Sequence, residues 1–188
     1  MTLNIDPVNT HIPSSRPEDI AAVTFAFGTT SLGQVLVAAT ARGVCAILMG
    51  SSRDRLVADL CRHFAEAQPA PDGQLADTVG KVTALIEDPA RPADLTLDLQ
   101  GSDFEIRVWQ GLRTIPPGRT LSYSELARHL GVTGGEKGPA KDVADACAAN
   151  KIAVAVPCHR ILRKDGTISG YRWGVHRKRA LLERESAQ

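Results

Sequence analysis

Two helix-start signatures, at Ser102 and Ser122, decide most of what the second half of this chain can become. Ser102-Asp103-Phe104-Glu105 and Ser122-Tyr123-Ser124-Glu125 each place a hydroxyl three residues before a carboxylate. That pair satisfies, reciprocally, the N–H groups left unbonded at the start of a helix. After the first box Phe104, Val108, Trp109, Leu112 and Ile115 recur at helical spacing, and Ile115-Pro116-Pro117-Gly118 ends the helix. After the second, Leu126, Ala127 and Leu130 form a short apolar face that Gly131 stops. Pro139 suits the first turn of an alanine-rich helix reaching about Ala149. Two short helices with a glycine-containing connection make a helix-turn-helix candidate with a longer turn than usual.

Downstream, Ile152–Val156 reads as a continuous apolar strand. Asp165-Gly166 reads as a hairpin turn between Ile161-Leu162 and Thr167-Ile168, and a basic helix runs from about Val175 to Glu185. Helix, turn, helix and hairpin in this order predict a mostly α, winged-helix-like domain over residues 101–188. The first half differs. Residues 1–20, with Pro7, Pro13 and Pro17, read as a flexible tail. Ala22–Phe27, Gln34–Thr40 and Val44–Met49 are strand-like, with Arg42-Gly43 as the tight connection. Ser51 or Ser52 caps a helix bearing Leu56, Val57, Leu60 and Phe64. Leu75, Val79, Val82 and Ile86 mark a second helix, Pro89 and Pro92 break the chain, and Leu95, Leu97 and Leu99 alternate as a half-buried strand. Residues 21–100 are therefore predicted to be a small α/β domain without chemistry of its own.

Several classes fall away. The apolar runs are far too short to cross a bilayer, and the N-terminus MTLNIDPVNT has neither a basic nor an apolar leader segment. Cys45, Cys61, Cys147 and Cys158 form no CxxC pair, so reduced thiols in a cytoplasmic protein are expected, with no metal site. Charge is more telling. Residues 1–100 hold 7 basic and 12 acidic side chains, whereas residues 101–188 hold 15 and 9. Residues 101–150 are neutral at 6 and 6, so the excess sits in 151–188, at 9 basic against 3 acidic. That pattern predicts an anion-facing surface around Arg160, Arg163, Lys164 and Arg172, with nucleic acid the first candidate. A solvated basic helix explains the charge equally well.

The chemistry concentrates in Val156-Pro157-Cys158-His159-Arg160. A thiol attacks as thiolate, and an adjacent imidazole can take its proton. Neighbours on a regular strand face opposite ways, so a direct Cys–His bond needs a bend at Pro157-Cys158; otherwise a bridging water relays the proton. No second Cys or His lies at ligand spacing, so a metal reading of this motif is weaker still. Trp109, Trp173, Cys45, Cys61 and Cys147 read as packing residues.

Residues 101–185 resemble the O6-alkylguanine-DNA alkyltransferase family, and residues 21–185 resemble the guanine-repairing C-terminal half of Ada-type proteins. The stretches that carry the resemblance are Gly101-Ser102-Asp103-Phe104, Val108-Trp109, Ile115-Pro116, Ser122-Tyr123, Glu125-Leu126-Ala127, Asn150 and Pro157-Cys158-His159-Arg160. It continues through Asp165-Gly166, Ser169-Gly170-Tyr171-Arg172-Trp173-Gly174, Lys178, Leu181-Leu182 and Glu185. The resemblance implies a ribonuclease-H-like N-terminal sheet and DNA repair by irreversible, single-turnover transfer of the alkyl group from O6-methylguanine, and from O4-methylthymine, to Cys158. It implies no cofactor, a monomer, and double-stranded DNA containing a flipped O6-alkylguanine as partner. By position, His159 is the water-mediated base, Glu185 orients it, and Asn150 braces the reactive turn. Tyr123 acts on the phosphate or donates a proton to the purine, Tyr171 lines the base pocket, and Lys141 and Arg160 contact DNA.

The pattern departs from the family at three places. Lys141 stands where the family has an arginine that fills the hole left by the flipped base, and lysine lacks the planar fork. Asp142 and Asp145 replace small uncharged residues, and the Gly131–Ala140 connection is longer. Residues 1–20 lack the cysteine cluster of a phosphotriester-repairing half, which predicts a stand-alone alkyltransferase. The rival reading is a non-catalytic winged-helix protein that binds alkylated DNA or regulates transcription.

Overall fold

A computed structural model describes residues 22–135 and 138–186, so the expected tail over 1–20 lies outside the described residues. The architecture is mixed α/β, with a four-stranded sheet, a two-stranded one and helices around them. Three antiparallel strands open the chain: β1 (Thr24–Thr30), β2 (Gly33–Thr40) and β3 (Gly43–Gly50). Gly43, at φ 141°, lies against the Thr96 carbonyl, which leaves no room for a Cβ at the start of β3. β1 starts and ends later than the expected Ala22–Phe27, while β2 begins one residue before the expected Gln34 and ends with it at Thr40. Helix α1 (Arg53–Cys61) is capped by Ser52, whose side chain accepts from the Arg55 amide. Strand β4 (Gln68–Pro69) then adds in parallel to β1, giving the order β3-β2-β1-β4. It is two exposed residues long and has no periodic signal in the sequence. Helix α2 (Ala76–Glu87) packs on β1 and β2 and buries Val82, Leu85 and Ile86.

The second half carries α3 (Asp103–Arg113), α4 (Tyr123–His129), α5 (Pro139–Ala149) and α6 (Val175–Ser186). Both capping boxes form as expected, Ser102 with Glu105 and Ser122 with Glu125. Gly131, at φ 62°, ends the α4 segment in the left-handed conformation. Trp109 is 1% exposed and its indole N–H donates to the Ala146 carbonyl (2.8 Å), tying α3 to α5. A short parallel pair, β5 (Leu121–Ser122) and β6 (Ile161–Leu162), joins the start of α4 to the segment after Cys158.

The free edge of β3 connects the sheet to the second half. Val44 donates to the Thr96 carbonyl and accepts from the Asp98 amide; Ile47 donates to the Lys151 carbonyl and accepts from the Ala153 amide. The sheet therefore seats the segment that leads into Cys158 through backbone bonds at a fixed register.

Three sequence-based expectations are corrected. Leu95–Leu99 is no strand but a single bridge, Leu97 to Val44, because Asp98 turns inward to Thr40, Arg42 and Gln100. Ile152–Val156 is no strand either. It bridges Ile47 at Ile152 and then turns, with Val154 at φ 65° and the Val156 amide donating back to the Ile152 carbonyl. The Asp165-Gly166 turn closes through Arg163 N–H to the Thr167 carbonyl, but Ile161-Leu162 pairs with β5 and not with Thr167-Ile168. Among the described residues no helix is long and apolar enough to cross a membrane.

Candidate active site

Cys158, His159 and Arg160 form one turn of 3-10 helix after Pro157. This is the bend that places neighbouring thiol and imidazole on one compact unit, which an extended strand would not. All three residues are buried. The turn is braced by Asn150, which is fully buried. Its Oδ1 accepts from the Ile152 amide (2.8 Å), while its Nδ2 donates to the Val156 carbonyl (3.0 Å) and reaches the Cys158 Sγ at 3.3 Å. One side chain thus stands in for the strand partner that Ile152–Val156 lacks. Asn150 itself has extended backbone (φ −58°, ψ 129°), not the left-handed conformation often found at a helix end.

His159 Nε2 and Glu185 Oε1 are 2.8 Å apart, both side chains wholly buried. With Glu185 as acceptor, the imidazole carries its proton on Nε2 and leaves Nδ1 as a base. That Nδ1 is buried and has no hydrogen-bond partner among the described residues. Burial lowers the His159 pKa, outweighing the pull of Glu185, so the ring is neutral at neutral pH. Burial would raise Glu185, but hydrogen bonds from His159 and Arg160 outweigh it and hold the carboxylate below its ordinary range. Gly118 N–H adds a bond to Oε2 (3.3 Å). Burial raises the Cys158 thiol, opposed by the Asn150 bond and the nearby Lys178 charge.

The thiol opens on a cavity of about 400 Å³ lined by Tyr123, Ala144, Cys147, Cys158, Tyr171 and Arg172 among others. Tyr123 from α4 and Tyr171 from the loop before α6 both line it. The Tyr171 hydroxyl is buried with no partner among the described residues, and its ring meets Trp173 edge-on at 5.1 Å. Cys147 stands on the same wall, its thiol pushed far up by burial, as befits a packing residue.

Arg160 is where the sequence-based expectation of a DNA contact fails. It is 7% exposed and turned inward. Its guanidinium donates to both Glu185 oxygens (2.8–3.2 Å), to the Ile115 carbonyl and to the Pro89 carbonyl (3.2 Å). A charge so placed neutralises Glu185 and locks the 3-10 turn to α6, α3's end and the first half. Lys141 does lie exposed on α5, ion-paired one turn on with Asp145. Asp142 accepts from the Gly135 amide (2.7 Å), bracing the connection before α5. Lys178 and Ser169 are the polar residues that sequence reasoning left without a role. The signal was there: Lys178, Leu181 and Glu185 all fall on the buried stripe of α6, and charges in an apolar register require a reason.

The model of the 6-O-methylguanine DNA methyltransferase DNA-binding domain matches residues 103–187. Over 166 residues the chain is 46% identical to the bifunctional transcriptional activator/DNA repair enzyme Ada of Escherichia coli, covering 88% of this chain and 46% of that protein. The chain thus spans about half the length of the Ada proteins it matches. A methylated-DNA–protein-cysteine methyltransferase of Mycobacterium tuberculosis is 42% identical over 119 residues, 63% of this chain and 70% of that one. The crystal structure of Mycobacterium tuberculosis OGT in complex with DNA superposes with a TM-score of 0.71 at 32% identity, covering 87% of this chain and 93% of that one.

Proposed function

The chain belongs to the O6-methylguanine-DNA methyltransferase family, and from that premise we propose that it repairs double-stranded DNA by moving the methyl group of O6-methylguanine onto its own Cys158. The observation that carries this reading is the buried Glu185–His159 pair beside a thiol that faces a base-sized cavity. Free Nδ1 takes the thiol proton through a bridging water, and Glu185 stabilises the imidazolium that results. The thiolate then displaces O6 in line: the carbon–sulfur bond forms, the carbon–oxygen bond breaks, and its electron pair stays on the purine. Tyr123, on the cavity wall, supplies the proton that restores guanine. The same displacement serves O4-methylthymine. A thioether is a poor leaving group, so each molecule acts once.

The cavity admits a base only after it leaves the helix stack, which costs a few kcal/mol and least for a badly paired lesion. Tyr171, which lines the cavity, would contact that base. Lys141 on α5 with exposed Arg163 and Lys164 offers the phosphate-facing surface. The β3-β2-β1-β4 order supports a ribonuclease-H-like first domain over residues 22–100, and α4, α5 and the Asp165-Gly166 turn support a winged-helix-like second domain from Gly101.

The test is incubation with a duplex containing O6-methylguanine, followed by peptide mass mapping. One methyl group per molecule on the Cys158 peptide is expected. Unmodified protein bound to unrepaired DNA would instead establish the binding-only alternative.

A further inference from the structure

Behind the cavity wall three polar side chains form an unbroken line. Lys178 Nζ, on a residue 1% exposed, donates to Ser169 Oγ at 3.0 Å, and Ser169 Oγ lies 2.8 Å from the Tyr123 hydroxyl. Lys178 also donates to the Ile161 carbonyl. An ammonium is a donor only, so Ser169 accepts from it. Tyr123 is the remaining hydrogen-bond partner of Ser169 Oγ among the described residues, and at 2.8 Å either hydroxyl can be the donor. With Ser169 donating, lysine, serine and tyrosine form one directed line, and the tyrosine's own hydrogen is free to turn elsewhere.

The lysine is an expensive way to fill space. Among the described residues no carboxylate pairs with it, and a buried ammonium without a counter-charge costs several kcal/mol that a methionine in the same place would not. What surrounds it is Cys158, Cys147 and the serine–tyrosine line.

We propose that Ser169 is the relay hydroxyl through which Lys178 replaces the proton that Tyr123 gives to the departing purine. The inference rests on the methyl-transfer reading above and extends it. As the carbon–oxygen bond breaks, the purine anion takes the Tyr123 proton; the Ser169 proton passes to the phenolate, and Lys178 reprotonates Ser169, ending as a neutral amine. No phenolate is left stranded in the buried site. The environments agree: burial lowers the Lys178 pKa and raises that of Tyr123, so the proton moves with little uphill cost.

The role separates from a structural one through the leaving group. Single-turnover rates are measured on duplexes carrying O6-methylguanine, its 8-aza analogue (a less basic leaving purine) and its 7-deaza analogue (a more basic one), for the native protein, Ser169→Ala and Ser169→Thr. Ser169→Ala is expected to slow the most basic purine by about tenfold more than the least basic one, within the range a positioned acid supplies. Ser169→Thr, which keeps the hydroxyl, restores most of the rate. Equal slowing of all three substrates by Ser169→Ala, or no slowing, overturns the relay. If the native protein methylates Cys158 with none of them, the methyl-transfer reading itself fails, and the relay with it.

Discussion

Replacing Arg160 by methionine tests whether this residue serves the fold or the DNA. The substitution keeps the length of the side chain and removes its charge and every donor. Arg160 is 7% exposed, so little of its attraction to Glu185 is screened by water. Without it the Glu185 carboxylate, wholly buried, keeps only His159 and the Gly118 amide. The Ile115 and Pro89 carbonyls lose their guanidinium donors as well. Breaking one side of a buried, hydrogen-bonded ion pair costs about 3–5 kcal/mol. For a chain of this size that lowers Tm by roughly 6–20 °C. There is a second consequence at the site. Arg160 lowers the His159 pKa, so its loss makes the imidazole easier to protonate and less available as a base. Urea unfolding and thermal melts read the first effect, and the acid limb of the methyl-transfer rate, moved to higher pH, reads the second. Binding to an undamaged duplex is then measured against salt. A phosphate contact removed would reduce the slope of log K against log salt by about 1. An unchanged melt with a slope lowered by that amount would refute the structural role and restore the sequence-based expectation.

Other outcomes follow from the same geometry. Asn150→Ala strips partners from the buried Ile152 amide and Val156 carbonyl; it should cost about 2–3 kcal/mol in urea unfolding and push the Cys158 thiol further up in an alkylation-rate profile. His159 is held neutral with a pKa below its ordinary 6.5, and Glu185 below its ordinary 4.5. Groups depressed in the folded state contribute stability that is complete above their ordinary values and lost as pH falls through the folded ones. Unfolding free energy is therefore flat from about pH 6.5 up to about 8, where the raised thiols begin to weigh, and declines on acidification; the transfer rate declines with it as His159 protonates, and a rate that rises between pH 6 and 5 would contradict the base assignment. Asp59→Ala removes the pairing of Arg172 with α1, but at a site partly open to solvent, so melts should shift by less than about 1 kcal/mol, and less again in high salt.

The legible parts of the fold are those whose cause is local. The two capping boxes and the apolar spacing behind them produce α3 and α4 where expected, because a hydroxyl three residues from a carboxylate acts within a single turn. The antiparallel strands were readable for the same reason, their partners being a tight turn away. What failed depends on distant partners. Ile152–Val156 has the composition of a buried strand, yet its third residue turns at φ 65° because the Asn150 side chain captures the polar groups at both ends of the run. Strand β4 exists only because β1 offers an edge to Gln68-Pro69. Cys158, His159 and Glu185 were recognisable from the motif they share with the family, but His159 and Glu185, 26 residues apart in sequence, meet only in three dimensions. Arg160 was misread because its partners are Glu185 and two carbonyls, 25, 45 and 71 residues away.

The charge split between the halves has a structural cause that neither half reveals alone. Of the nine basic residues in 151–188, Arg160, Arg177 and Lys178 are buried, and each donates to backbone carbonyls or to Glu185. Arg172 reaches back 113 residues to Asp59, and Arg184 pairs with Glu87. Arg177 also crosses the boundary, donating to the Leu32 carbonyl. The acidic first half and the basic second half thus neutralise each other where they meet, and much of the surplus that suggested an anion-binding face is spent inside the molecule. Arg163, Lys164, Arg172 and Arg179 are the exposed members of that set, Arg172 tied to Asp59 and the first two at the turn beside β6. Under the proposed function, these residues would give DNA fewer phosphate contacts than the sequence total implies, and more of the discrimination would fall to the cavity that Tyr123, Cys158 and Tyr171 line.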